Sequence, residues 1–266
     1  MNMKPVLLLM ACVAGLFAGA QMKEGRVIYE RTVQIQLPNF RNLDPEMAQR
    51  IPRSRTDQFE LLFSDNKTLW QYLPSASADD VTTVAGPGMM IRMAGGTNDV
   101  IYTDLESRSR VDKREMFDRS FLVADSLEKG SWKMTQETKK ILGYTAFKAV
   151  TQRTVTRPRV TMENGEMKRE DVTDTVDVVA WFTPEIPVSA GPDMQGQLPG
   201  LILELESNNG QSITRAIEVS PEVNVAKIKE PKGGRKMTAA EFQKEREKMV
   251  EEMRRNMPAG NVIRMN

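Results

Sequence analysis

The amino-acid sequence predicts a mainly β protein, with a curved or partly closed antiparallel sheet, a short N-terminal helix and a C-terminal amphipathic helix. Three observations support this fold class. Apolar and polar residues alternate with period two in many short segments. Residues typical of turns separate these segments, and few segments show helical periodicity. Many short strands joined by turns favour an antiparallel sheet that curves or closes on itself.

The first twenty residues resemble a cleavable secretory leader. Lys4 is their only charge, an apolar run extends from Val6 to Phe17, and Ala18-Gly19-Ala20 supplies small residues before Gln21. The run is shorter than the roughly 20 apolar residues that a membrane helix needs, and no later stretch predicts such a helix. We expect cleavage after Ala20 and export to the periplasm or the outer membrane. A retained helical anchor and a lipoprotein attached through Cys12 are the alternatives.

Composition excludes several kinds of chemistry from the predicted mature chain. The sequence has no histidine, and its single cysteine lies in the leader. This excludes disulfides, zinc or copper sites built on thiolate or imidazole, and Ser-His-Asp or Cys-His catalysis. The 37 basic and 36 acidic residues give a net charge near zero, which indicates no nucleic-acid partner. We predict no catalytic residue, no metal site and no cofactor.

The first strands and a helix follow the leader. Residues from Gly25 to Leu37 alternate in polarity, which predicts a long, half-buried strand. Asp44-Pro45 is typical of a helix start, and Pro52 ends this short helix. The turn from Ser64 to Lys67 separates two alternating segments and predicts a hairpin over Phe59 to Leu73.

Residues 74–98 are rich in proline, glycine and serine and lack a clear period. We predict a long mobile loop, because such length without regular structure is unusual in a compact domain. The loop carries Met89, Met90 and Met93, whose adaptable side chains suit a lid over an apolar ligand. An insertion without a ligand is the alternative, and a Cu(I) site on these thioethers is a more remote one.

The rest of the β-rich domain, which spans residues 21–225, continues the strand pattern. Asn164-Gly165 predicts a hairpin turn. Its arms, within residues 151–173, hold few large apolar side chains, so we expect this hairpin to project into solvent. Thr175 to Phe182 predicts a buried strand, and Asn208 to Gly210 predicts a second hairpin turn.

Residues 226–266 differ from this domain. Residues 226–236 are basic and broken by proline and glycine, which predicts a linker. Thr238 and Glu241 form a capping box that begins a helix extending to about Asn256. The helix has one apolar stripe, formed by Phe242, Met249, Val250 and Met253. We expect the stripe to pack on the protein's own sheet; peripheral contact with an anionic membrane surface or a partner is the alternative.

One motif carries a family resemblance. Trp181-Phe182-Thr183-Pro184-Glu185-Ile186-Pro187 is followed by Gly191-Pro192 and by Leu198-Pro199-Gly200-Leu201-Ile202. Together with Trp132 and residues 141–149, this pattern resembles the signature of the GLPGLI family, exported proteins of Bacteroidota without an established activity. The resemblance covers residue 1 to about 219.

Two positions depart from the family pattern. Gln197 stands where the family name has its first glycine, and Ala146 stands where members often have cysteine. The prolines of the motif interrupt regular pairing and favour a structural corner over a ligand contact. By analogy of fold alone, the resemblance implies a curved sheet around an apolar cavity, as in lipoprotein carriers.

These observations favour an exported, non-enzymatic envelope protein that binds or carries an apolar ligand such as a lipid. An envelope protein-interaction module, acting through residues 151–173 and the C-terminal tail, is the first alternative. A carboxylate-dependent hydrolase is the second, with acidic pairs such as Glu204 and Glu206 as candidates. Both of these carboxylates alternate with leucines, which is typical of a solvated strand edge.

Overall fold

The computed structural model describes the chain in seven segments. These are residues 21–35, 52–74, 81–86, 89–94, 99–116, 119–163 and 166–255. Within them lie fourteen strands, a short 3-10 helix and one α-helix. The elements are β1 Gly25–Gln34, β2 Ser54–Ser64, β3 Lys67–Leu73, β4 Val81–Gly86, β5 Met89–Ala94, β6 Val100–Asp104, β7 Ser109–Met116, β8 Arg119–Ser126, β9 Lys133–Ile141, β10 Tyr144–Glu163, β11 Glu166–Thr183, β12 Leu201–Ser207, β13 Ser212–Ser220, the 3-10 helix Val225–Lys227, β14 Arg235–Thr238 and α1 Ala239–Arg255.

Twelve strands form one large sheet in the order β14-β8-β7-β6-β3-β2-β1-β13-β12-β11-β10-β9. Neighbouring strands are antiparallel, except that β14 runs parallel to β8. The sheet is open, with β14 and β9 at its edges. The mainly β fold and the C-terminal helix predicted from the sequence are therefore confirmed. The short N-terminal helix predicted after Asp44 lies outside the described residues.

Local turn chemistry accounts for the predicted hairpins. Asp65 and Asn66 connect β2 to β3 with φ of 48° and 61°, as the favoured two-residue hairpin turn requires. Asn208 and Asn209 also have positive φ, 53° and 52°, between β12 and β13. Asn and Asp tolerate this conformation better than other side chains. Both hairpins are confirmed.

Residues 81–86 and 89–94 differ from the loop without regular structure that the sequence predicted. β4 and β5 pair as an antiparallel hairpin separate from the large sheet, from Val81 opposite Ala94 to Gly86 opposite Met89. The β-branched run from Val81 to Val84 favours an extended backbone and explains the difference. The prediction of a loop without regular structure is wrong for these residues, and their mobility stays a prediction.

The predicted linker over residues 226–236 also differs in part. Its last two residues begin β14, in which Arg235 lies opposite Phe121 of β8. Ile228 is buried in a small cluster with Leu62 and Leu69. The segment after the β-rich domain is therefore held against the sheet at both of these points.

The main core lies where the sheet curves. Tyr29, Leu61 and Leu201 are fully buried there with other apolar side chains. Trp70 stacks on Phe59 with ring centroids 5.1 Å apart. The Tyr29 hydroxyl donates a hydrogen bond of 2.7 Å to the Ile202 carbonyl, and burial raises the pKa of Tyr29. Close packing by the protein's own side chains fills this part of the curved sheet.

Helix α1 packs on the sheet as predicted. Phe242 and Met249 are buried against Phe121 and Val123 of β8. The capping box is present: the Glu241 backbone NH donates to the Thr238 hydroxyl, and the Glu241 carboxylate accepts from the Thr238 NH. Across the part of the chain that the structure describes, no helix combines the length and apolar character that crossing a membrane would take.

Candidate functional site

The motif residues form a corner between β11 and β12. Most of its residues are buried, namely Thr183, Ile186, Gly191, Pro192, Leu198, Gly200, Leu201 and Ile202. Pro184, Pro187 and Pro199 are exposed. Backbone hydrogen bonds fasten the corner to β12, because the Leu201 NH donates to the Ile186 carbonyl and the Ile202 NH donates to the Ala190 carbonyl.

Gly200 lies at the tightest point of this corner. Its φ is 151°, and a Cβ built on it would lie 2.2 Å from the Thr183 carbonyl oxygen. That distance is far below van der Waals contact, and the opposing atom belongs to the backbone, which cannot rotate away. The glycine is therefore required by geometry at the start of β12.

A charged cluster surrounds Trp181, the half-buried member of the motif. The Lys139 Nζ lies 4.3 Å from the Trp181 ring centroid and donates a 2.7 Å hydrogen bond to Glu204. Arg215 Nε donates a 2.6 Å hydrogen bond to the other Glu204 oxygen. The Glu204 side chain is only 5% exposed. The solvated edge predicted for this residue is wrong, because the lysine and the arginine cover it.

These partners determine the protonation of Glu204. Burial alone would raise the pKa of Glu204, but the hydrogen bonds and charges of Lys139 and Arg215 outweigh burial and hold that pKa below its ordinary value of 4.5. A carboxyl with a depressed folded-state pKa stabilises the fold above its unfolded-state pKa, and this contribution is lost as the pH falls.

Glu204→Gln should therefore flatten the acid limb of the stability profile. The wild-type free energy of unfolding should fall more steeply than that of the variant as the pH drops below about 4.5, because only the wild type must protonate this carboxyl. Urea denaturation at several pH values between neutrality and the acid transition measures the two slopes. Parallel slopes would contradict the assigned role of Glu204.

A polar cleft lies where β7 and β8 approach β10 across the curved sheet. Its volume is about 480 Å³, within the usual range for small-ligand sites. One wall is β7 with the end of β8 and the segment that follows, and the other is Thr151 to Arg153 of β10. The lining also includes Asp193, Met194, Gln195 and Gln197, just after the motif's Gly191-Pro192, and Ala239 of α1.

The cleft has equal numbers of basic and acidic side chains, and three of them form one ion-pair cluster. Both Asp112 oxygens accept from Arg110, at 2.6 and 2.9 Å, and one also accepts from Arg114 at 3.0 Å. Burial would lower the pKa of Arg110, but the hydrogen bond and charge of Asp112 outweigh burial and raise it. Asp193 pairs with Arg31 at 2.9 Å. Four basic and four acidic side chains line the cleft in total.

Gln195 is the unusual residue of the cleft. It is only 2% exposed, and neither its Oε1 nor its Nε2 has a hydrogen-bond partner among the described residues. Arg114 Nε is likewise buried without a partner there. Such groups are rare in folded proteins, because an unmet buried amide costs free energy. Its neighbour Gln197, by contrast, accepts a 3.0 Å hydrogen bond from Trp132 Nε1.

The predicted methionine lid is not part of this cleft's described lining. Met89, Met90 and Met93 lie on β5, and their side chains are outside what the structure describes. The lid therefore stays a prediction. Sequence reasoning missed the cleft, although one signal was present: Arg110, Asp112 and Arg114 alternate at spacing two, which places three charges on one face of a strand.

Comparison with solved structures identifies the fold. Crystal structures of PNGF-II in space groups P21 and C2 match with TM-scores of 0.50 and 0.48, at 18% and 17% sequence identity. The matches cover 84% and 83% of this chain but only 33% and 32% of those chains. The chain thus spans about a third of the length of the PNGF-II chains, and at 18% identity the likeness to the P21 structure shows the fold alone.

Comparison of sequences gives a match to a family without an assigned activity. No curated protein matches this chain. The model of a family described as a protein of unknown function, Porph_ging, matches residues 132–204. These residues include strands β9, β10 and β11 and the motif corner.

Proposed function

We propose that this chain is an exported, non-enzymatic protein of the bacterial envelope that binds a polar ligand in the cleft between β7, β8 and β10. The observation that carries this proposal is the cleft itself, a cavity of about 480 Å³ lined mainly by charged, hydroxyl and amide side chains.

A polar ligand is better supported than the apolar ligand favoured by the sequence. The apolar side chains of the curved sheet contact one another, as Tyr29, Trp70 and Phe59 do. The cleft, in contrast, is lined mainly by charged residues, hydroxyls and amides. An apolar ligand there would desolvate polar groups without replacing their hydrogen bonds.

Two buried carboxylates, Glu204 and Asp112, give no support to a hydrolase. A general acid needs a carboxyl that keeps its proton near the working pH. Glu204 has a lowered pKa because of its two cationic partners. In the cleft, both Asp112 oxygens are occupied by arginines. The non-enzymatic proposal rests on these pairings.

Export and family assignment rest on the sequence. The leader pattern ending at Ala20 supports export. We assign the chain to the GLPGLI family, and the family match over residues 132–204 supports this, because these residues contain the whole motif that carries the resemblance. The interaction-module alternative has less support, since the apolar residues Phe242 and Met249 of the helix are covered by β8.

Native mass spectrometry of protein purified from the cell envelope tests the proposal. We expect a chain that begins at Gln21 and a non-covalently bound polar small molecule. Thr151→Trp, which fills the cleft, should lower the bound fraction about tenfold, as a loss of 1.4 kcal/mol in binding free energy would do. Thr154→Trp, on an exposed position of the same strand that does not line the cleft, is the matched control.

Three results would contradict parts of the proposal. A co-purifying lipid that Thr151→Trp leaves in place would favour the apolar reading. The mass of the unprocessed 266-residue chain would contradict export by a cleaved leader. A fatty-acylated Cys12 would favour the lipoprotein alternative.

A further inference from the structure

We propose that a second copy of this chain binds edge to edge to the long hairpin of β10 and β11, with the β10 arm of one copy beside the β11 arm of the next. This inference goes beyond the proposed function, because it concerns a surface between copies of the chain and not the ligand of the cleft. It rests on the strand pairing and on the charges of the two arms.

The hairpin extends past its neighbours in the sheet. β9 pairs with β10 only as far as Val150, and β12 pairs with β11 only as far as Val178. Beyond these points the two arms, residues 152–163 and 166–176, pair only with each other among the described residues. At about 3.3 Å per residue they form a ribbon roughly 35 Å long. Each side of this ribbon is an unpaired strand edge.

A ribbon of this kind favours the addition of another strand. A two-stranded hairpin is only marginally stable in water, and an unpaired edge offers a row of backbone donors and acceptors to another chain. Valine and threonine are frequent in both arms, which favours an extended, paired backbone. Pro158 lacks a backbone NH, so a strand that pairs with the β10 arm loses at most one hydrogen bond there.

The two arms have opposite charge in the sequence. The β10 arm has three arginines and one glutamate, which give a net charge of +2, and the β11 arm has two basic and four acidic residues, which give −2. Within one copy the charges lie in register, as Arg159 opposite Glu170 shows. An added strand lies about 4.8 Å from the nearer arm and about twice as far from the other, so the nearer arm decides which charge it prefers.

These charges favour a head-to-tail arrangement. Pairing β10 with β10 places two positive arms side by side, and pairing β11 with β11 places two negative arms side by side, which is destabilising in both cases. Pairing the β10 arm of one copy with the β11 arm of the next brings opposite charges together. The two surfaces in this contact differ, so each copy keeps one arm available, and the assembly extends into a chain or closes into a ring.

Sedimentation velocity of the mature chain over a series of concentrations tests the inference. We expect the wild type to associate, and to associate less at about 1 M than at about 0.1 M salt, because salt screens the charges. Arg157→Glu with Arg159→Glu makes both arms negative, and Glu170→Lys with Asp171→Lys makes both arms positive. Each pair of substitutions should weaken association about tenfold or more. An equimolar mixture of the two variants should restore it, because each variant supplies the arm that the other lacks.

Two further variants separate pairing from net charge and from folding. Lys244→Glu with Arg246→Glu, at exposed positions of α1, changes the net charge as much as the arginine pair does and should leave association unchanged. A chain with all four hairpin substitutions again has arms of opposite charge, so it should associate with itself but not with the wild type. Circular dichroism and thermal melting show whether each variant folds.

Several outcomes would overturn the inference. A wild type that is monomeric at every concentration would do so, as would association that every hairpin variant retains or that the α1 variant also loses. Loss in only one of the two hairpin variants would mean that like arms meet, and a mixture that stays monomeric would mean that the arms do not pair between copies. So would a folded but monomeric chain with all four substitutions. None of the substituted residues lines the cleft, so these results leave the proposed ligand binding standing.

Discussion

Replacing Gly200 by alanine should lower the free energy of unfolding by about 3 kcal/mol or more, combining backbone strain with overpacking. The φ of 151° is costly for any residue with a Cβ, and the added atom would meet the Thr183 carbonyl oxygen at 2.2 Å. Relief requires the end of β11 to separate from the start of β12, where Leu201 and Ile202 are buried. Urea denaturation followed by tryptophan fluorescence measures the change.

Gly143→Ala is the matched control for this effect. Gly143 also has a positive φ, 86°, but a Cβ there would have no atom within 4 Å. The alanine should therefore cost only the strain of the left-handed backbone, about 1 kcal/mol. Equal losses in the two variants would show that the backbone conformation alone, rather than the close approach at Gly200, decides the effect.

The sequence was most informative where local chemistry decides the structure. Asp65-Asn66 adopts the positive φ that a two-residue hairpin turn needs, and Thr238 with Glu241 forms the capping box. Each of these signals involves residues within four positions of one another. Neither depends on what the rest of the chain packs against them, so both could be predicted without the fold.

Prediction failed where the pattern of apolar residues was weak. β7, from Ser109 to Met116, carries charges at Arg110, Asp112 and Arg114, so its period-two pattern lies in charge rather than in hydrophobicity. β14 has only four residues and forms because β8 offers an open edge. Both segments become strands because they pair with their neighbours in the sheet, and their own residues do not predict a strand.

The cleft could not be derived from the sequence for a related reason. Arg114, Thr151 and Gln195 are far apart in the chain, and they line one cavity only because the sheet curves far enough to bring β7 near β10. The sense of curvature and its extent come from the summed twist of many strands. Sequence pattern predicts that a sheet curves, but it does not predict which two strands then approach each other.

Gln195→Leu should raise the free energy of unfolding by about 2 kcal/mol, an effect opposite in sign to that of most core substitutions. The wild-type fold buries an amide whose oxygen and nitrogen have no partner among the described residues. Folding therefore removes the hydrogen bonds that this amide makes to water and does not replace them. Leucine has a similar volume and no polar atom, and therefore avoids that cost. Gln243→Leu, at an exposed position on α1, should change stability by less than about 0.5 kcal/mol.

The sign of this effect tests whether the amide is unpaired when the chain is folded. A leucine variant that is less stable than the wild type would mean that the Gln195 amide is hydrogen-bonded in solution, and the argument from an unmet buried amide would fall.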